Sequence, residues 1–231
     1  MEGCAPSCAA MFRFRLFRVP FEVTGSFWIA AVLLGGIGSD FNSREQIIRL
    51  VIWVACVFVS IVVHELGHAL VGRFYGGEPY VILQGMGGLT YRSGPPVSRP
   101  KSIAISLAGP AFGFALFVCV WAGRNYVFDA QPAWLERRDG GAMALLTAIQ
   151  YLIFINGFWT LFNLLPILPM DGGRVCEDVL GPSRVRTTRM IGAVVAAVLC
   201  GLAAWAWQPF IAIFLGYLAY ANFTGKTHTL L

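Results

Sequence analysis

His64 and His68 stand four residues apart with Glu65 between them, in the run His64-Glu65-Leu66-Gly67-His68. On a helix a four-residue step returns to the same face, so both imidazoles can reach one metal ion, a spacing typical of zinc sites. Glu65 points about 100° away from His64. It is therefore free to act as a base on water instead of serving as a ligand. The stretch that carries these residues, 47–72, is otherwise apolar apart from Arg49. A charged side chain within hydrocarbon costs roughly 2.5–3.5 kcal/mol even on the lenient insertion scale, so such a cluster signals function.

The composition agrees with a bilayer setting. The chain of 231 residues is 57% hydrophobic and 13% charged, with a mean hydropathy of +0.68. Soluble domains carry about 25% charged residues. The net charge of +5 comes from arginines scattered among short loops, not gathered on one face, which argues against nucleic acid as a partner. Cys56, Cys119 and Cys200 fall in apolar spans and read as small hydrophobes, while Cys4 and Cys8 have no companion pair.

About 20 apolar residues cross a bilayer core. Six segments qualify or come close: 23–37, 47–72, 102–123, 143–165, 190–207 and 209–222. The expected fold is an all-α integral membrane protein of about six transmembrane helices. Residues 1–22 form a cytoplasmic N-terminal segment, 23–222 a polytopic domain with its core at about 47–175, and 223–231 a cytoplasmic tail. With both termini inside, 12 of the 17 lysines and arginines fall on the cytoplasmic side. That orientation puts His68 five residues before the inside Arg73, so the cluster is submerged but nearer the cytoplasm. After the second span, residues 76–96 hold two β-favouring runs, 80–83 and 89–91, around Gly85-Met86-Gly87-Gly88. This reads as a short β-hairpin or re-entrant loop, able to offer an edge strand to an extended peptide.

A hydrolytic zinc site needs a third protein ligand. His228 lies in the tail, past the last span. Asp171 in the run FNLLPILPMDGGR is the better candidate, because the fourth span descends to the same side as His64 and His68. Pro166 and Pro169 end that helix, and Gly172 and Gly173 allow close packing after the carboxylate. Ser60, Ser102 and Ser106 lack a base once both membrane histidines are committed to metal.

HELGH on an apolar helix, followed about 100 residues later by NLLPILPMDGG, resembles the site-2 protease family of intramembrane zinc metalloproteases. The resemblance covers roughly 47–175, including the run SLAGP at 106–110. It implies one zinc ion held by His64, His68 and Asp171, with Glu65 as catalytic base and Asn163 near the substrate. Gly87 and Gly88 in the loop are further substrate-binding candidates. Many members carry an asparagine shortly after Ala-Gly-Pro, whereas this chain has Phe112-Gly113, so a polar role for the third span does not carry over. With no appended regulatory domain, the chain resembles the compact members. The family implies a transmembrane protein substrate, often an anti-sigma or pro-transcription factor, cut within or near its membrane span. It places the enzyme in the cell membrane and leaves a regulatory membrane partner open. The rival readings are a membrane zinc-binding or transport protein, which has no need of Glu65, and a different integral zinc protease, which would use a downstream glutamate ligand where this chain has Asp171. A non-proteolytic scaffold is the third, and the intact ligands and base argue against it.

Overall fold

The computed structural model describes residues 10–36, 42–130 and 140–226. Cys4, Cys8 and His228 lie outside them. The elements in chain order are β1 (Ala10–Leu16), β2 (Val19–Thr24), α1 (Gly25–Gly36), α2 (Arg44–Phe74), β3 (Glu78–Gln84), β4 (Gly87–Ser93), α3 (Arg99–Ala130), α4 (Gly140–Asn163), α5 (Asp171–Leu180), α6 (Val185–Trp205) and α7 (Pro209–Thr224).

The fold is mostly helical but not all-α. A four-stranded sheet runs in the order β1-β2-β3-β4. The expected hairpin is β3–β4, paired antiparallel, and β3 also pairs in parallel with β2. Strands β1 and β2 fall where a cytoplasmic N-terminal segment and the start of a first span were expected. The cause is a period of two in the residues themselves. Phe12, Phe14 and Leu16 alternate with Arg13 and Arg15, and Val19, Phe21 and Val23 fill the buried face of β2. Arg13 sits opposite Glu22 across the pair and binds it at 2.7 Å. The sheet packs on α2 through stacked Phe14 and Phe21, with Phe58 against Phe14. Its core of Phe21, Val81 and Leu83 is closed over by Phe27 of α1 and Ile61 of α2.

Four helical segments among the described residues are long and apolar enough to cross a membrane: Arg44–Phe74, Arg99–Tyr126, Gly140–Asn163 and Pro182–Trp205. The other two expected spans are short. Helix α1 has 12 residues and α7 has 16, rising about 18 and 24 Å against a hydrocarbon core of about 30 Å. Helix α2 begins with a capping box in which Ser43 and Gln46 satisfy each other's backbone amides. It ends where Gly76 takes a positive φ of 82° and the chain turns into β3.

Helices α2 and α3 meet backbone to backbone in the middle of the protein. A Cβ on Gly67 would fall 2.5 Å from the carbonyl oxygen of Ala108, and a Cβ on Gly109 would overlap the His68 ring. Only small residues permit this approach. Gly67→Ala should lower the thermal unfolding midpoint of detergent-solubilised protein, equivalent to a cost of about 1–3 kcal/mol. Gly123→Ala in α3, where nothing lies within 4 Å, should leave the midpoint unchanged or slightly raised. Equal midpoints for the two variants would show that this contact does not set the helix separation.

Candidate metal centre

Helix α2 places His64 and His68 one turn apart with both rings turned toward α5. Their Nε2 atoms lie 3.2 Å from each other. The Asp171 carboxylate arrives at the first turn of α5 and brings Oδ2 to 3.1 Å from His64 Nε2 and 3.3 Å from His68 Nε2. All three residues are buried. The three donor atoms form a nearly equilateral triangle, drawn from two segments 107 positions apart in sequence. Donors about 2.0–2.1 Å from a tetrahedral zinc stand roughly 3.3 Å apart, close to the sides of this triangle.

The tautomer fits as well. His68 Nδ1 lies 2.7 Å from the carbonyl oxygen of Ile105, which can only accept. The ring therefore donates from Nδ1, and a neutral imidazole then presents its Nε2 lone pair to the centre. With Nε2 of His64 unprotonated as well, two lone pairs and a carboxylate oxygen would converge here, and a cation among them would relieve their repulsion. The donor set of two nitrogens and one oxygen suits zinc.

Glu65 completes the cluster, with potential ligand atoms of His64, Glu65 and His68 all within 4.8 Å of one another. Its carboxylate turns toward the sheet, where Thr90 of β4 donates to Oε2 at 2.7 Å. Gly88 of the same strand lies so close that a Cβ there would overlap the Glu65 side chain. Glu65, His64, His68 and Asp171 share a cavity of about 760 Å3, also lined by Gly87, Gly88, Asn163 and Trp159. Every site residue expected from the sequence therefore reaches this one cavity. Asn163 is buried at the end of α4, three residues before Pro166, with its amide donated back to the Trp159 carbonyl.

Other members of the site were not singled out from the sequence. Thr90 had no motif to mark it, and the Ile105 carbonyl has no side-chain signature at all. Gly113, where the third span departs from the usual pattern, faces Asn156 and Thr160 of α4 and the Nδ1 edge of His64. The polar groups near that edge thus come from α4, not from α3. Buried asparagine and threonine in an apolar span were the available signal.

The family model for peptidase family M50 matches residues 52–203. The chain belongs to this family. It is 29% identical over 168 residues to a zinc metalloprotease of Methanocaldococcus jannaschii, spanning 72% of this chain and 44% of that one. A zinc metalloprotease homologue of Synechocystis is 32% identical over 173 residues, spanning 71% and 42%. The chain thus spans less than half the length of the curated relatives it matches. Its fold is similar to that of the site-2 protease from Methanocaldococcus jannaschii, with a TM-score of 0.58 and 23% identity over 92% of this chain and 94% of that one.

The Thr90 hydroxyl holds the Glu65 carboxylate by a hydrogen bond. Thr90→Val removes the hydroxyl with little change of shape, and should lower kcat about tenfold or more through a displaced carboxylate, with zinc content and KM nearly unchanged. An unaltered kcat would show that Glu65 is oriented by other contacts.

Proposed function

We propose that this protein is an intramembrane zinc metalloprotease that hydrolyses a peptide bond within or near the transmembrane segment of a membrane-protein substrate. The observation that carries this reading is the triangle of His64, His68 and Asp171 donors at 3.1–3.3 Å, with Glu65 beside it in a cavity large enough for a peptide. One zinc ion per chain is assigned to these three residues. Bound there, zinc supplies Lewis acidity, polarising a scissile carbonyl and making water acidic enough to give up a proton near neutral pH. Glu65 takes that proton as water attacks and returns it to the leaving amine. Thr90 keeps the Glu65 carboxylate on the cavity side during both transfers.

The substrate must be extended. A carbonyl within a helix is already an acceptor for an amide four residues on, so a transmembrane substrate has to unwind before attack. Strand β4 lies at an edge of the sheet and on the cavity wall, where it can pair with an extended segment and replace the backbone bonds lost on unwinding. Gly87 and Gly88 would let that segment approach, and Asn163 would offer a polar contact. Family analogy makes the substrate a single-pass protein, such as an anti-sigma or pro-transcription factor, cut in regulated intramembrane proteolysis in the cell membrane. A regulatory membrane partner is compatible with this. The charge asymmetry of the loops favours cytoplasmic termini and an active site nearer the cytoplasm.

Glu65→Gln separates a protease from a zinc carrier or scaffold. It should retain zinc and lower turnover of labelled transmembrane peptides by about 10²–10⁴-fold; undiminished turnover would remove Glu65 from the reaction. Chelation should abolish cleavage and lower the unfolding midpoint, because zinc binds the folded state alone. A substrate span weakened by Gly or Pro should be cut faster than an all-Leu span, and equal rates would count against unwinding.

A further inference from the structure

The geometry points to Asn222 as a positioning residue for the metal centre: its side-chain amide grips the backbone of Leu168 and so holds the loop that presents Asp171 to His64 and His68. This rests on the proposal that those three residues hold zinc. Between the end of α4 and the start of α5 the chain runs without regular structure through the interior, with Ile167 fully buried and Leu168 nearly so. Buried backbone of this kind must find partners for its polar groups. Pro166 and Pro169 have no amide to satisfy. Ile167 donates to the Leu165 carbonyl and Met170 to the Ile167 carbonyl, a pattern that leaves Leu168 out.

Asn222 serves Leu168 on both sides. The Leu168 amide donates to Oδ1 at 3.2 Å, and Nδ2 donates to the Leu168 carbonyl at 2.7 Å. The second Nδ2 hydrogen goes to the Leu218 carbonyl one turn back on α7 at 2.9 Å. The orientation of the amide is fixed, since exchanging oxygen and nitrogen would set an oxygen against two carbonyls. Asn222 is fully buried on an otherwise apolar face. Helix α6 makes room for the contact at Gly192, where a Cβ would fall 2.6 Å from Asn222 Oδ1 and 3.2 Å from the Pro166 carbonyl oxygen. Asp171 is three residues beyond Leu168, so displacement of the loop carries directly to the carboxylate. Asn222 also lies outside residues 52–203, the region matched by the family model.

The test is zinc affinity, measured by competition with a chromogenic chelator on the full chain in detergent, alongside unfolding midpoints. Asn222→Ala should weaken zinc binding about 10–100-fold, as loss of a group that orients a ligand does. On an Asp171→Ala background the same change should have almost no further effect, because Asn222 acts through Asp171. Gly192→Ala, which keeps the amide but crowds it, should weaken zinc binding in the same direction. Three results would overturn the inference. In one, Asn222→Ala lowers the midpoint but binds zinc as wild type does, although Asp171→Ala does not. In another, its loss multiplies with that of Asp171→Ala. In the third, neither Asn222→Ala nor Gly192→Ala gives folded protein, so that the amide holds the bundle and not the loop. Full zinc affinity in Asp171→Ala would instead remove the ligand assignment on which the inference stands.

Discussion

Two imidazole nitrogens and a carboxylate oxygen are held about 3 Å apart in an interior lined by apolar helices, an arrangement that a shared cation would stabilise. Much of the remaining structure can be traced to holding it. Two of the donors come at little cost, because helical periodicity brings positions 64 and 68 together wherever α2 goes. The third is harder to supply. Asp171 must enter from a separate segment, and a segment that leaves helical geometry inside an apolar domain exposes amides and carbonyls that water cannot reach. The loop before α5 answers with two prolines, which have no amides, with short-range backbone bonds and with the side chain of Asn222. The sequence there is thus fixed less by Asp171 itself than by the need to bring Asp171 in without leaving Leu168 unsatisfied.

The sheet solves a different part of the same problem. The buried carboxylate of Glu65 needs a hydrogen-bond donor, and Thr90 on β4 supplies one at 2.7 Å. For β4 to lie there it needs a partner on its other side, and β3 is anchored in turn by β2, whose Phe21 and Val23 are buried against the helices. The N-terminal strands, remote from Glu65 in sequence, therefore brace the wall against which its side chain rests. Strand β4 is last in the sheet among the described strands, and its residues Gly87, Gly88, Leu89 and Thr90 line the cavity.

How much of this could be read from the residues follows from the range of each interaction. The histidine pair was legible because its spacing is local and its chemistry rare. The β3–β4 hairpin was legible because two alternating runs flank a glycine-rich turn. Asp171 was legible through its two flanking prolines and two glycines. Strands β1 and β2 carried an equally regular alternation, Phe12 to Leu16 against Arg13 and Arg15, but basic residues ahead of an apolar run also describe an ordinary membrane anchor. The first and last apolar segments, 23–37 and 209–222, were already shorter than a full crossing needs, and α1 and α7 have 12 and 16 residues. Thr90 and Ile105 act through contacts set by tertiary packing, and a backbone carbonyl leaves no trace in the residue type. Asn222 did leave one, as a lone amide in an apolar helix, but its partner Leu168 is a backbone group 54 positions away.

Unpaired backbone groups also set the conditions under which a membrane interior could host hydrolysis. On the proposed reading the substrate arrives as a helix whose amides are all paired. Each residue unwound in apolar surroundings would leave a donor and an acceptor unpaired, at several kcal/mol apiece. A cavity bounded by helices alone would offer nothing to take them, because helix backbones are already satisfied. A strand edge does offer it, with unpaired groups repeating at the spacing of an extended chain. The small sheet beside Glu65 is then the element that lowers the cost of unwinding enough for a carbonyl to be presented at the metal. A site with the same three ligands in a purely helical wall would keep its affinity for zinc while lacking a means of opening a transmembrane substrate.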